Sequence, residues 1–193
     1  MLTDALCWMA ALSLAGVLGC DRGGPPRSPA DAADAPARAT CASRSAAPFP
    51  GAFTNPANLV AGPLVLVGAR GARYAHPDLI RRFGGVKSPV LVRAGHTVTV
   101  RIVRGAQHSR LDYHAGATAG HPAFRSLPRS VRFVACRDDE RSGSNVDGRP
   151  VTFWSGFIAL SRAPACVLLE ITADGAPPRE VPLAFGRRSC PGA

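Results

Sequence analysis

Between residues 53 and 185 the apolar residues recur with a period of two, in short runs with Gly and Pro between them. Runs that short and that alternating are β strands, because neighbouring side chains on a strand face opposite ways and an amphipathic helix would repeat every three to four residues. In HTVTVRIV (96–103), Val98, Val100 and Ile102 share one face while Thr97, Thr99 and Arg101 share the other. PLVLVGA (63–69) reads as a buried strand, and PVLVRA (89–94) reads as a hairpin partner of 96–103 through Ala94-Gly95. SVRFVAC puts Val131, Phe133 and Ala135 on one side, and VTFWSGFIAL (151–160) is the most apolar strand. Period two places Trp154 opposite Phe153, so one of them should point outward or across the sheets, with Trp154 the one expected in the core. CVLLEIT (166–172) and REVPLAF (179–185) flank Asp174-Gly175, a favoured hairpin turn. Only HPDLIRRF (76–83) looks helical, with Gly84 at its C-terminal cap. Seven or so short strands at this spacing predict an all-β, immunoglobulin-like β-sandwich, with a small barrel as the alternative.

A leading segment precedes this region. Residues 5–19, ALCWMAALSLAGVLG, form an apolar run too short for a membrane span of about 20 residues but suited to a signal peptide. Val17-Leu18-Gly19-Cys20 resembles the lipobox of bacterial lipoproteins, in which the Cys is acylated and the signal is cut before it. The segment MLTD has no Lys or Arg, which departs from that pattern, and Leu18 stands where Ala or Ser is commoner. Residues 21–40, with six Ala, four Pro and two Gly, offer almost nothing to bury and predict a disordered tether. The expected organisation is therefore a signal peptide at 1–19, an acylated Cys20 with a linker to residue 40, and a β domain over 41–193.

Cys41, Cys136, Cys166 and Cys190 remain after Cys7 and Cys20 are set aside. An even number in an exported chain predicts two disulfides, and four cysteines allow three pairings. Cys41 and Cys190 bracket the domain and could staple its ends. Cys136 closes one strand and Cys166 opens another, so Cys41–Cys190 with Cys136–Cys166 is the expected pairing. Cys166–Cys190 is the rival, since both may flank one hairpin.

FPGAFTNPANLVAGPLVLVGA, VLVRAGHTVTV and DGRPVTFWSGF resemble a group of uncharacterised exported proteins of high-GC bacteria, over most of residues 41–190. The resemblance implies an envelope or secreted location and a compact β domain, and it implies no activity.

The net charge is +10, and Asp4 is the only charge in the first 19 residues, so the chain from Cys20 onward is one unit more positive. A single Lys, Lys87, stands against 22 Arg. A solvated surface written in Arg is expected, with attraction to anionic wall polymers or lipid headgroups as the alternative. Nucleic acid is not expected, because no aromatic platform is interleaved with the Arg residues. The Arg excess also fits the codon bias of a GC-rich genome, which would leave it a solvated surface.

Chemical motifs are sparse. AGHTVTVRI is similar to cupredoxin strands, but a blue-copper site needs two His, a Cys and usually a Met. Cys136 is followed by RDDERSGSNVDG, without His, and both Met residues, Met1 and Met9, fall in the leading segment. His108, His114 and His121 lie within 14 residues, at separations that fit neither a helical face nor known zinc motifs. Asp138, Asp139, Asn145 and Asp147 suggest a calcium loop, but in an EF-hand register Gly143 and Trp154 fall at the first and twelfth ligand places. Ser155 lacks a nucleophile elbow, and Glu140, Glu170 and Glu180 are the only Glu residues. No catalytic, metal or cofactor residue is therefore assigned. The expectation is a non-enzymatic binding or structural domain of the envelope. A hydrolase or metal-dependent enzyme assembled only in three dimensions, for instance around His108, His114 and Asp112, is the alternative.

Overall fold

The computed structural model describes residues 35–113, 124–137 and 143–190. The apolar segment 1–19, Cys20, most of the linker, His114, His121, Asp138 and Asp139 lie outside the described residues. Among those described, no helix is long and apolar enough to cross a membrane.

Thirteen strands form: β1 (Ala37–Ala39), β2 (Leu59–Ala61), β3 (Leu64–Leu66), β4 (Gly85–Lys87), β5 (Val90–Arg93), β6 (Thr97–Arg104), β7 (Ser109–Asp112), β8 (Ser130–Val134), β9 (Gly143–Val146), β10 (Arg149–Trp154), β11 (Phe157–Leu160), β12 (Ala165–Ala173) and β13 (Arg179–Phe185). Among the described residues one α-helix, α1, spans Pro77–Phe83. Its cap is as expected: Gly84 is left-handed at φ 67°, and His76 Nδ1 accepts from the Asp78 N–H at the other end. The all-β sandwich holds, but the described residues form thirteen strands rather than seven or so. Four of the strands are only three residues long, too short to show a period.

The first sheet has the order β1-β8-β6-β12-β13, with β1 parallel to β8 and the rest antiparallel. The second is β2-β3-β5-β10-β9, and a third is β4-β11-β7. The second and third continue one another, since β4 runs into β5 and β10 into β11, and these pair as β4 with β11 and β5 with β10. At the junction the Ser88 N–H still donates to the Gly156 carbonyl, at 3.0 Å. Val98, Val100, Val131, Phe133, Leu169 and Leu183 of the first sheet pack against Leu64, Val90, Val92, Trp154 and Ile158 of the other layer.

Two strand expectations are corrected. VTFWSGFIAL is not one strand: it breaks at Ser155-Gly156, and its halves belong to different sheets. Strands β5 and β6 do not pair. Ala94-Gly95 carries the chain from the second sheet to the first, with Gly95 at φ 78° and the His96 N–H closing a turn onto the Arg93 carbonyl. A connection as short as Ala94 to His96 can close a hairpin or arch between layers, and alternation is the same in both.

Trp154 is buried in the core as expected, and Phe153 points to the outer face of the second sheet but is buried as well, because that face is covered. The chain between residues 45 and 58 covers the outer face of the second sheet, where Phe49 meets Phe153 at 4.7 Å between ring centroids. Asn58 fastens this cover, donating to the Ala52 carbonyl and accepting from the Gly68 N–H.

The four cysteines do form two disulfides, in a different pairing: Cys41–Cys136 and Cys166–Cys190, with Cα–Cα distances of 4.8 and 5.7 Å. Sheet order gives the reason. Cys136–Cys166 needs β8 beside β12, and β6 separates them. Cys41–Cys190 needs the two edge strands to meet, and β1 and β13 lie at opposite edges. Because β1 runs parallel to β8, Cys41 and Cys136 leave the sheet side by side. The domain therefore begins before Cys41: the linker was expected through Thr40, yet Ala37–Ala39 is a strand and Ala39 is buried.

Candidate anion-binding groove

Strand β13 is an edge strand, and Pro182, opposite Leu168, fits that place because it offers no N–H to a further neighbour. Val181, Leu183 and Phe185 face the core, which leaves Arg179, Glu180 and Pro182 exposed. A 3₁₀ turn, Gly71–Tyr74, lies against the end of this strand, where the Gly186 N–H donates to the Ala72 carbonyl at 3.1 Å. The turn and the strand wall a groove of about 450 Å³. Arg70 and Arg73 line it from the turn, and Arg179 and Arg188 from β13 and the segment after it. Glu180 is the single acid among its described lining residues.

All four arginines are exposed, and among the described residues none joins an ion pair. The ion pairs present lie elsewhere, as in Arg101–Glu170 at 3.3 Å and Arg81–Asp78. A guanidinium offers five N–H donors in a planar fork that matches phosphate and carboxylate oxygens. Four of them line this one groove. The Cys166–Cys190 disulfide fixes the segment that carries Arg188, since Cys190 also lines the groove.

A smaller groove of about 240 Å³ is lined by Arg101, Arg129, Pro128 and Ser130. Glu170 partly neutralises it through Arg101.

Among the described residues weighed for catalysis, none of His108, Asp112 and Ser155 lines either of these grooves. His108 Nδ1 lies 3.5 Å from Ser161 Oγ, and neither residue lines either groove. His96 instead binds the Asp174 carboxylate, and His76 caps α1. Asp147, with Gly148, forms the tight turn between β9 and β10, at φ 53° and 76°. Asn145 is an exposed residue of β9. Ser155 sits in the break between β10 and β11. Asp112 is buried beside Tyr113, whose phenol burial pushes far up, with the Asp112 charge adding to the effect. Tyr113 stays a neutral donor to the Ser88 carbonyl, at 2.6 Å. Among the described residues no three His, Cys, Asp or Glu side chains gather as metal ligands would.

No protein-family model, no curated protein and no solved structure matches this chain. The groove escaped sequence reasoning because its arginines are scattered over more than a hundred residues of chain. Pro182 was the one usable signal, since a Pro inside a strand marks an edge.

Proposed function

We propose that this is an exported envelope protein whose β domain binds an anionic ligand without chemically transforming it. The carrying observation is the groove lined by Arg70, Arg73, Arg179 and Arg188, with Glu180 the one acid among its described lining residues. The two disulfides fit an oxidising, extracytoplasmic setting. The apolar run ending in VLGC supports a cleaved signal and an acyl anchor on Cys20.

The binding test uses a short fluorescent polyphosphate and fluorescence anisotropy over a salt series. Affinity should fall steeply as salt rises, because charges at an exposed groove are screened. Arg179→Ala combined with Arg188→Ala should weaken binding by about tenfold, in line with two lost charge-assisted contacts. Binding that ignores both salt and these substitutions would overturn the reading. For the anchor, intact-mass analysis of the membrane fraction should find an acylated chain beginning at Cys20, and a soluble unmodified product with another N-terminus would refute it.

A further inference from the structure

The large apolar side chains exposed among the described residues are Tyr74, Leu79 and Phe83, at 70, 51 and 57%. All three fall within ten residues of chain, beside the arginine groove. Leu79 and Phe83 stand four apart on α1 and so share one face of it. Tyr74 ends the 3₁₀ turn that walls the groove. The helix is seated on the end of β13: a Cβ on Gly186 would lie 3.2 Å from both Ile80 Cδ1 and Pro77 Cγ. The groove and the apolar residues therefore belong to one continuous surface, and Arg73 is part of both. It lines the groove, and its guanidinium lies 4.6 Å from the centre of the Tyr74 ring. The Arg82 guanidinium is 5.8 Å from the Phe83 ring.

We propose that this surface docks on an anionic lipid bilayer. The proposal rests on the anion-binding reading of the groove and names its ligand as the phosphates of lipid headgroups. Arg70, Arg73, Arg179 and Arg188 take the phosphates, while Tyr74, Leu79 and Phe83 enter the boundary between headgroups and acyl chains. A soluble polyanion has no use for exposed apolar side chains. A bilayer rewards both halves of the surface, since Tyr, Leu and Phe partition into its interface while Arg stays at phosphate depth. The charge of the chain is complementary to an acidic leaflet.

The test uses the chain from residue 20 onward with Cys20→Ala, so that neither the apolar leading segment nor an acyl group contributes. It is sedimented with vesicles of phosphatidylcholine alone and of phosphatidylcholine mixed with phosphatidylglycerol. Binding to the acidic vesicles only is expected. Tyr74→Ser, Leu79→Ser and Phe83→Ser together should lower vesicle affinity by about tenfold or more. Leu79→Ser with Phe83→Ser alone, which keeps the Tyr74 ring against Arg73, should lower vesicle affinity while leaving polyphosphate affinity and melting temperature unchanged. Arg179→Ala with Arg188→Ala should lower both affinities. If the triple variant binds vesicles as tightly as its parent, the lipid proposal is wrong. It is equally wrong if the parent is a dimer that the triple variant disrupts, which would mean that a second copy covers this face. Polyphosphate binding without vesicle binding refutes the bilayer alone, whereas loss of both refutes the groove as well.

Discussion

The ring of Tyr113 lies so close over Gly156 that a Cβ built on the glycine would stand 2.2 Å from Tyr113 Cδ1 and 2.5 Å from the Asp112 carbonyl oxygen. This contact occupies the junction of the second and third sheets, where β10 gives way to β11. The phenol donates to the Ser88 carbonyl, the facing residue of the β4–β5 break. The ring packs edge-on to Phe133, and Phe133 in turn meets Trp154. Tyr113 thus fills the space that the bend in the layer opens.

Gly156→Ala should therefore destabilise the domain by about 3 kcal/mol or more, since the added methyl meets backbone as well as a ring held by its own hydrogen bond. Tyr113→Phe should cost about 1–3 kcal/mol, because it leaves the Ser88 carbonyl without its donor. Urea unfolding measures both. A Gly156→Ala protein as stable as its parent would show that the junction is not closely packed.

The disulfides should differ in what they contribute. Cys41–Cys136 closes 95 residues and Cys166–Cys190 closes 24. Chain-entropy arguments give about 4–5 kcal/mol for the longer loop and about 3–4 kcal/mol for the shorter. Non-reducing peptide mapping should recover these two pairs. Paired Ser substitutions followed by denaturant unfolding should rank the first above the second. A Cys41–Cys190 peptide in mapped native protein would contradict the sheet order itself.

What could be read from the sequence and what could not divide on locality. The alternation in 96–103, the helix at 76–83 with its Gly84 cap and the Asp174-Gly175 turn each depend on residues within one turn or strand, and each formed as expected. The pairing of β1 with β8 depends on three residues, Ala37–Ala39, inside a segment whose composition reads as tether. It carries the disulfide pairing with it. Phe153 looked outward because alternation reports two faces of a strand and says nothing of a cover such as residues 45–58. The groove was hidden for a similar reason: Arg70 and Arg188 are brought together by the Gly186–Ala72 hydrogen bond, and no local pattern marks that contact.

Asp174 gives a pH dependence of definite sign. Partial burial pushes its carboxyl up, but the Thr97 N–H and the His96 imidazole outweigh that and hold it below the ordinary carboxylate range. A carboxylate whose folded pKa is lowered stabilises the fold above its unfolded pKa, and the contribution disappears as pH falls through the lowered value. Asp174 sits at φ 39° in the β12–β13 turn, a conformation that Asn also tolerates, so Asp174→Asn keeps the turn and removes the charge. The parent should melt higher than this variant at neutral pH, and the gap should close below about pH 4. A gap that persists unchanged to pH 3 would remove Asp174 from the acid response.

The N-terminal boundary of the domain is the last point to test. Ala37–Ala39 pairs with Val131–Phe133, Ala39 is almost wholly buried, and the Thr40 carbonyl accepts the indole N–H of Trp154 at 3.0 Å. A chain beginning at Cys41 retains the cysteine that bonds Cys136 but loses the edge strand and that acceptor. The indole N–H is then left in the core without its partner, and the edge of β8 is uncovered. The orphaned donor and the lost pairing should together cost about 2–3 kcal/mol, which for a domain of this size lowers the melting temperature by roughly 5–10 °C. A chain beginning at Ala35 keeps both contacts and serves as the reference. Trp154 reports the difference directly, because solvent reaching its indole shifts the emission to longer wavelength, and Trp154 is the only tryptophan in either truncated chain. Equal melting temperatures and equal emission in the two chains would return residues 35–40 to the tether and place the start of the fold at Cys41.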